Sequence, residues 1–243
     1  MISLLRNINP IALLVLSLTT SGTVMATEPV QNSDYRPQSQ RMLAELIREN
    51  SANPRAKAIL GVISRPSMGE LTQAVNVLES YIAASAQDNT AKMYYGYGLL
   101  FMASEFLNNK NYFKAAEFSK RGFFFIDEAT ESDLDNWRMR YLRARMDTFV
   151  PKVNGRCVIA LKDIRYLQEQ TSIPEDLKPF ITFMLARASA TCDHPDQEQA
   201  AYQALESAGS QGQSLLAIKK EEKPFTRPEE ISGVIQSLIG VHP

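Results

Sequence analysis

Four stretches of this sequence share one pattern, a small residue followed by bulky residues at the next helical turns, and this pattern constrains the fold most. Successive anchoring alanines are 41, 45 and 41 residues apart; they are Ala74, Ala115, Ala160 and Ala201. Another amphipathic stretch precedes each alanine, and no alternating strand pattern is found. The spacing predicts an all-α chain of about four helix–turn–helix units. The alternative is chance, because amphipathic helices with alanines occur in any all-α protein.

The C-terminal end predicts one more helix with a single apolar face. Its stripe comprises Ile231, Val234, Ile235, Leu238 and Ile239. Because the last unit of a repeat array needs a cover for its apolar face, we interpret this helix as a cap. A partner-binding role for it is the alternative. Residues 207–214, SAGSQGQS, predict a flexible loop before this helix.

The N-terminus predicts export. Arg6 precedes the apolar run IALLVLSL, which is too short to span a bilayer, and Val24 and Ala26 occupy the small-residue positions of a cleavage site. We therefore interpret residues 1–26 as a Sec signal peptide cleaved after Ala26, with an uncleaved anchor helix as the alternative. The mature chain is then periplasmic, or secreted as a second choice, and is not membrane-embedded. Residues 27–37 form an extended segment, and residues 38–243 form a single helical domain.

The second and fourth units resemble tetratricopeptide repeats (TPRs). In the second unit, LLFMASEFLNNKNYFKAAEFSKRG supplies the residues at the family's spacings, which are Leu99, Met102, Ala103, Phe106, Ala115 and Gly122. The fourth unit supplies Leu185, Ala188, Ser189, Ala201, Leu205 and Ala208, with Cys192 in place of the aromatic residue. Small residues let two helices approach closely, and large ones fill the gaps beside them. The resemblance implies a TPR-like α–α superhelix, although the spacing exceeds the usual repeat of about 34 residues.

The two cysteines fall at facing ends of neighbouring predicted helices. Cys157 begins the second helix of the third unit, and Cys192 ends the helix that follows it. Two antiparallel helices of similar length bring these residues to nearly the same height. In an oxidising compartment the pair predicts a disulfide. Two free buried cysteines in one interface are the alternative.

Catalytic chemistry is sparse in this sequence. It contains two histidines and no metal-protease, nucleophile-elbow or phosphate-loop motif. The stretch TCDHPD is only weakly metal-like, so we predict neither a metal nor a cofactor. A formal net charge of −1 disfavours nucleic acid as a partner, because phosphate binding needs clustered Lys and Arg. We therefore predict that the chain is not an enzyme.

Two clusters are candidate partner-binding residues. About half of the aromatic residues lie between Tyr94 and Phe125, and most of them are predicted to be core. On the first helix of the second unit, the side that usually holds peptides in TPR proteins carries Tyr97, Phe101, Ser104 and Asn108. The second cluster is WRMRYLRARMD, in which Arg140 and Arg143 lie opposite an apolar stripe and Arg138 and Arg145 flank it.

Arginines on such a face can grip carboxylates by paired hydrogen bonds. We include Arg140, Arg143 and Arg187 among the candidate binding residues. A solvated face that pairs with nearby aspartates is the alternative. The favoured function is a periplasmic TPR-like scaffold that binds a protein or peptide in the cell envelope. The alternative function is a ligand-binding accessory protein of an envelope transport system.

Overall fold

A computed structural model describes residues 35–64, 67–218 and 224–240 of the chain, and these residues fold into helices without a strand. The all-α prediction is therefore confirmed for this part of the chain. The predicted signal peptide and its cleavage point lie outside the described residues, as do most of residues 27–37. The first helix begins at Arg36, within the segment predicted to be extended.

Ten helices precede the C-terminal segment within the described ranges. They are α1 (Arg36–Glu49), α2 (Pro54–Ile63), α3 (Met68–Ala84), α4 (Asn89–Asn108), α5 (Tyr112–Glu131), α6 (Trp137–Thr148), α7 (Cys157–Glu169), α8 (Lys178–Thr191), α9 (Pro195–Glu206) and α10 (Gly209–Leu216). Short 3₁₀ turns, Lys152–Asn154 and Glu175–Leu177, precede α7 and α8. Helix α10 occupies most of the segment predicted to be a loop, so that prediction is wrong.

Polar residues at the helix starts explain where several helices begin. The side chains of Asn53, Asp88 and Asn111 each accept a hydrogen bond from a backbone N–H in the first turn of the following helix. Ser67 and Glu70 form a reciprocal capping box at the start of α3. Such caps satisfy backbone donors that have no partner inside the helix.

Helices α4 and α5 form a hairpin that two glycines bring into close contact. A Cβ atom added to Gly96 would lie 2.7 Å from the carbonyl oxygen of Gly122, and one added to Gly122 would lie 2.9 Å from that of Gly96. The turn between the helices places Lys110 in the left-handed region, with φ 59°. The predicted role of Gly122 in close helix packing is therefore confirmed.

Each helix from α2 to α9 packs against the next one in the chain, and the even-numbered helices α2, α4, α6 and α8 also contact one another in succession. The four anchoring alanines lie on α3, α5, α7 and α9, and all are buried; they are Ala74, Ala115, Ala160 and Ala201. The predicted helix pairs are thus present.

Cys157, at the start of α7, and Cys192, at the end of α8, form a disulfide with Cα atoms 5.7 Å apart. The predicted pairing is confirmed. Antiparallel packing of α7 and α8 brings the two ends together, as the lengths of the predicted helices require.

The C-terminal segment, defined as residues 224–240, packs against α1. Its helix consists of three consecutive pieces, an α-helical turn (Pro228–Glu230), a π-helical turn (Ile231–Ile235) and a final α-helical turn (Gln236–Ile239). The predicted apolar stripe is buried at every position. The segment contacts α1 and the 3₁₀ turn Glu175–Leu177 that leads into α8, and it lines a cavity with residues of α2, α4 and α6.

Candidate functional site

The C-terminal segment and helices α2, α4 and α6 enclose a small, partly open cavity. Its walls come from Ile63 on α2; Tyr94, Tyr97 and Phe101 on α4; Tyr141, Leu142 and Arg145 on α6; and Thr226, Glu230, Val234 and Ile235 on the segment. The interior, about 30 Å³, has room for roughly two water molecules. The cavity is therefore a gap in an interface between the segment and the helices, and it is too small for a substrate of many atoms.

Glu230 is the anchor of the segment at this interface. Its carboxylate accepts hydrogen bonds from the Tyr141 hydroxyl at 3.0 Å and from Arg145 Nη2 at 3.2 Å, and Arg145 Nε also donates to it. The Glu230 side chain is only 2% exposed. Charge-assisted hydrogen bonds of this kind are stronger than neutral ones, and a buried carboxylate needs them.

Helix α6 supplies three donors from one face, because Arg138, Tyr141 and Arg145 are three and four residues apart. Arg138 Nε donates to the Gly233 carbonyl oxygen at 3.1 Å, and Arg145 Nη2 also donates to the Pro224 carbonyl oxygen at 3.2 Å. These bonds attach the segment at its start and within its helix.

The electrostatics at the cavity favour a carboxylate beside Arg145. Burial is the largest single effect and lowers the pKa of the Arg145 guanidinium, but the charge and hydrogen bonds of Glu230, together with the nearby Tyr97 and Tyr141, raise it above its ordinary value. Burial, reinforced by the charge of Glu230, holds the pKa of the Tyr141 hydroxyl well above its usual range. Tyr141 is therefore a neutral donor, and Arg145 is the cation.

Tyr94 carries a hydroxyl group for which no hydrogen-bond partner exists among the described residues. Its side chain is 1% exposed and lines the cavity. The neighbouring Tyr97 hydroxyl is satisfied, because it donates to the Leu142 carbonyl oxygen and so ties α4 to α6. Tyr94 thus adds an unused donor to a site that already binds a carboxylate.

The predicted binding residues on α4 divide between the cavity and the surface. Tyr97 and Phe101 line the cavity, but Tyr97 is only 5% exposed because the segment and α6 cover it. Ser104 and Asn108 continue the same stripe of α4 and are exposed. The stripe therefore runs from the covered cavity to open surface.

The three arginines predicted to bind a partner, Arg140, Arg143 and Arg187, do not line the cavity. Arg143 is 2% exposed; it donates to Asp163 on α7 at 2.7 and 3.0 Å and to Glu131 on α5 at 2.7 Å. Arg140 also bonds Asp163, at 3.1 Å, and Arg187 on α8 lies over the rings of Phe149 and Phe183. Since α5 and α7 cover this side of α6, Arg143 is an internal linker of helices and is not part of a partner-facing surface.

The ion-pair network continues to Arg156, at the start of α7. Its guanidinium bonds both oxygens of Asp127, at 2.7 and 2.8 Å, and donates to Asp147 Oδ1 at 2.8 Å. Burial raises the pKa of Asp147 to about 7, although the Arg156 hydrogen bond acts in the opposite direction. The Oδ2 atom of Asp147 has no partner among the described residues. Asp147 is therefore the member of the network whose charge changes near neutral pH.

The site residues that sequence reasoning missed are Arg138, Arg145 and Glu230. Their signals are modest: the two arginines flank the stripe on α6, and Glu230 begins an apolar helix after Pro228. Most of the aromatic residues between Tyr94 and Phe125 lie in the core or pack against it, but three aromatic side chains of α5 point to solvent. Their exposed fractions are 66% for Tyr112, 82% for Phe113 and 61% for Phe124.

No protein-family model, curated protein or solved structure matches this chain. Across the described ranges, no helix combines the length and apolar character needed to cross a bilayer. The same residues contain no group of three or more His, Cys, Asp or Glu side chains placed to hold a metal ion. The function therefore has to be inferred from the chain's own residues.

Proposed function

We propose that the protein is an exported, TPR-like binding or scaffold protein of the cell envelope that holds a protein or peptide partner. Its recognition face is the one formed by α2, α4 and α6, which we name the even-helix face. The single observation that carries the proposal is that this face already holds a peptide segment, residues 224–240, by specific hydrogen bonds from side chains.

The packing of successive helices supports a TPR-like array. In such an array the first helix of each unit contacts its own second helix, and it also contacts the first helix of the next unit. The even-numbered helices here contact one another in this way, and each of α3, α5 and α7 also contacts the helix that follows it. The even-helix face then corresponds to the inner surface of the array, where TPR proteins usually hold peptides.

The turns of the second and fourth units also agree with one another. Lys110 and Asp193 both adopt left-handed backbone conformations, with φ 59° and 60°. The hydrogen bonds around them follow the same pattern, since the residue after each donates to the carbonyl oxygen five positions earlier. Ala201 lies one helical turn further from its turn than Ala115 does, so the small residues of the two units are not in the same register.

Export is supported by the leader-like N-terminus together with the disulfide between Cys157 and Cys192. Disulfides persist in oxidising compartments such as the periplasm. The small cavity favours a peptide partner over a transported small molecule, because binding sites for such molecules enclose about 300 Å³ or more.

Photo-crosslinking from the even-helix face tests the proposal. A photo-reactive amino acid at Ser104, exposed on α4, should give a discrete adduct in intact cells that export the protein. The matched control is Ser80, exposed on α3. Equal adducts from both positions, or none from either, would contradict recognition by this face.

A further inference from the structure

Arg145 differs from the other buried arginines in where its partners lie. Within the described residues, its hydrogen bonds go to Glu230 and to the Pro224 carbonyl oxygen, both on the C-terminal segment. Tyr141, on the same face of α6, also donates to Glu230. Arg143, in contrast, is satisfied by carboxylates of α5 and α7. The helical body thus carries an acid-binding pair whose acid comes from the segment.

The donors of this pair are held by the body itself. The Arg145 guanidinium lies 5.6 Å from the centre of the Phe180 ring, and the Tyr141 ring packs edge-on against Trp137 with centroids 6.5 Å apart. The hydrogen bond from Tyr97 to Leu142 joins α4 to α6 beside them. Because none of these contacts involves the segment, the donors stay in place when the segment leaves.

The segment is seated as a helical ligand would be seated in a groove. Glu230 occupies the first turn of its helix, and the apolar positions that follow are between 0 and 4% exposed; they are Ile231, Val234, Ile235, Leu238 and Ile239. Ser232, Gln236 and Ser237 face solvent. The helix therefore presents one acid and then one apolar stripe to the even-helix face, as helix-in-groove ligands do.

We infer that the even-helix face recognises an acidic amphipathic helix of this pattern in its partner, and that the C-terminal segment is an internal competitor for the same site. The pattern is a glutamate in the first helical turn with branched apolar residues one, four, five, eight and nine positions later. This inference rests on the proposed function and specifies the chemistry of the partner. Partner binding then requires release of Glu230 from Arg145 and Tyr141.

Peptide titration against the full chain tests the inference. The probe is a fluorescent peptide of residues 224–240, PFTRPEEISGVIQSLIG, added to the wild-type chain and to the Glu230→Gln chain, whose own segment is weakened. We expect the Glu230→Gln chain to bind the peptide at least about tenfold more tightly, because a hydrogen bond to a charged group is worth a decade or more in affinity.

Two peptides of equal charge test recognition of the acid. A Glu230→Gln peptide should bind the Glu230→Gln chain about tenfold more weakly than the wild-type peptide does. A Glu229→Gln peptide should bind like the wild-type peptide, because Glu229 accepts its hydrogen bond from Arg227 within the segment. Adding Arg145→Met to the chain should remove the preference. Equal affinities for the two glutamine peptides would overturn the inference.

Hydrogen exchange of residues 228–239 shows whether the chain's own segment has been released. If the Glu230→Gln chain keeps its segment docked, Val234→Asp, at a fully buried position, provides the released form. A released segment without peptide binding would overturn the inference, as would a segment that stays docked in both variants. If either outcome is found and a photo-reactive residue at position 104 still crosslinks a partner, the proposed function stands. Only the inference that the partner presents an acidic amphipathic helix is then rejected.

Discussion

The two sides of α6 carry arginines that look alike in sequence and have different partners in the structure. On one side, Arg143 bonds Asp163 on α7, the helix that follows α6, and Glu131 on α5, the helix that precedes it. On the other side, Arg145 bonds Glu230, which is 85 residues away in the chain. Both arginines are largely buried, with side chains 2% and 11% exposed. Burial alone therefore does not distinguish a structural ion pair from a recognition contact.

The difference lies in what happens when each partner is withdrawn. Separating Arg143 from Asp163 requires α6 and α7 to part, so the charge on Asp163 stays buried while the fold persists. Separating Arg145 from Glu230 requires only that residues 224–240 leave, and Glu230 is then hydrated. The first pair should affect the stability of the whole fold, and the second should affect the occupancy of one surface.

Arg143→Ala should have the largest effect, a loss of about 3–5 kcal/mol in the free energy of unfolding, because it leaves the buried Asp163 carboxylate short of its main partner. Chemical denaturation measures the loss. The control is Arg48→Ala, whose ion pair with Glu45 is 76% and 60% exposed, and which should change the free energy little. Equal small losses for both variants would mean that the Arg143 pair does not hold the fold together.

Removal of the disulfide between α7 and α8 should lower the free energy of unfolding by up to about 4 kcal/mol, because residues 157 and 192 close a long loop. Denaturation of the wild-type chain and a Cys157→Ala, Cys192→Ala double variant gives the difference. Below the unfolding transition, hydrogen exchange of residues 228–239 should be unchanged. Two alkylated thiols in exported protein under non-reducing conditions would contradict the bond itself.

The difference in free energy of unfolding between the Asp147→Asn variant and the wild type should change by about 1–3 kcal/mol between pH 5 and pH 8. Since the folded pKa, about 7, is above the ordinary value of 3.8, the folded wild-type protein binds a proton that the unfolded chain does not. Its stability therefore falls between those pKa values as pH rises, by at most about 1.4 kcal/mol per pH unit. The asparagine side chain at position 147 does not titrate, so the variant does not lose stability in this way as the pH rises.

The stability of the Asp147→Asn variant relative to wild type should consequently rise with pH. Denaturation at pH 5 and at pH 8 measures this difference, and contributions from other carboxylates cancel in it. A relative stability that does not change between pH 5 and pH 8 would indicate that Asp147 is ionised in the folded protein throughout this range.

Arg145→Ala should have the smallest effect on the free energy of global unfolding, less than about 1 kcal/mol. When the segment leaves, water hydrates Glu230, so no unpaired charge stays buried. Its local effect should be large, with exchange of the amides of residues 228–239 faster by at least about tenfold. A global loss as large as that of Arg143→Ala would place the segment in the structural core and remove the contrast between the two sides.

The sequence predicts the helices and their local partners well, because periodicity, caps and small residues act over a few turns. Ala115, Gly122 and the cysteine pair belong to neighbouring helices, so a simple antiparallel arrangement places them correctly. The contact of Arg145 with Glu230 depends on how a segment 85 residues further along the chain returns to α6. No local pattern encodes that return. The sequence therefore pointed to the right helix, α6, but to Arg140 and Arg143 instead of Arg138 and Arg145.

The exposed aromatic residues of α5 escaped prediction for a related reason. Phe113 and Phe124 are eleven residues apart, three full turns, and so share one face of the helix. Apolar content suggested core, but the packing of α4 occupies the opposite face, where Gly122 lies against Gly96. A helix can bury only one side against a single partner.

The contact between Gly96 and Gly122 also has an evolutionary consequence. A side chain at either position would meet the backbone of the other helix, so a change at one can be accommodated only if the whole hairpin opens. Because the obstructing atom is backbone, a substitution at one position cannot be offset by a substitution at the other, and both positions are confined to glycine while the helices keep this spacing. A pair of glycines 26 residues apart, on either side of a short polar turn, is a fingerprint by which distant relatives of this chain can be sought.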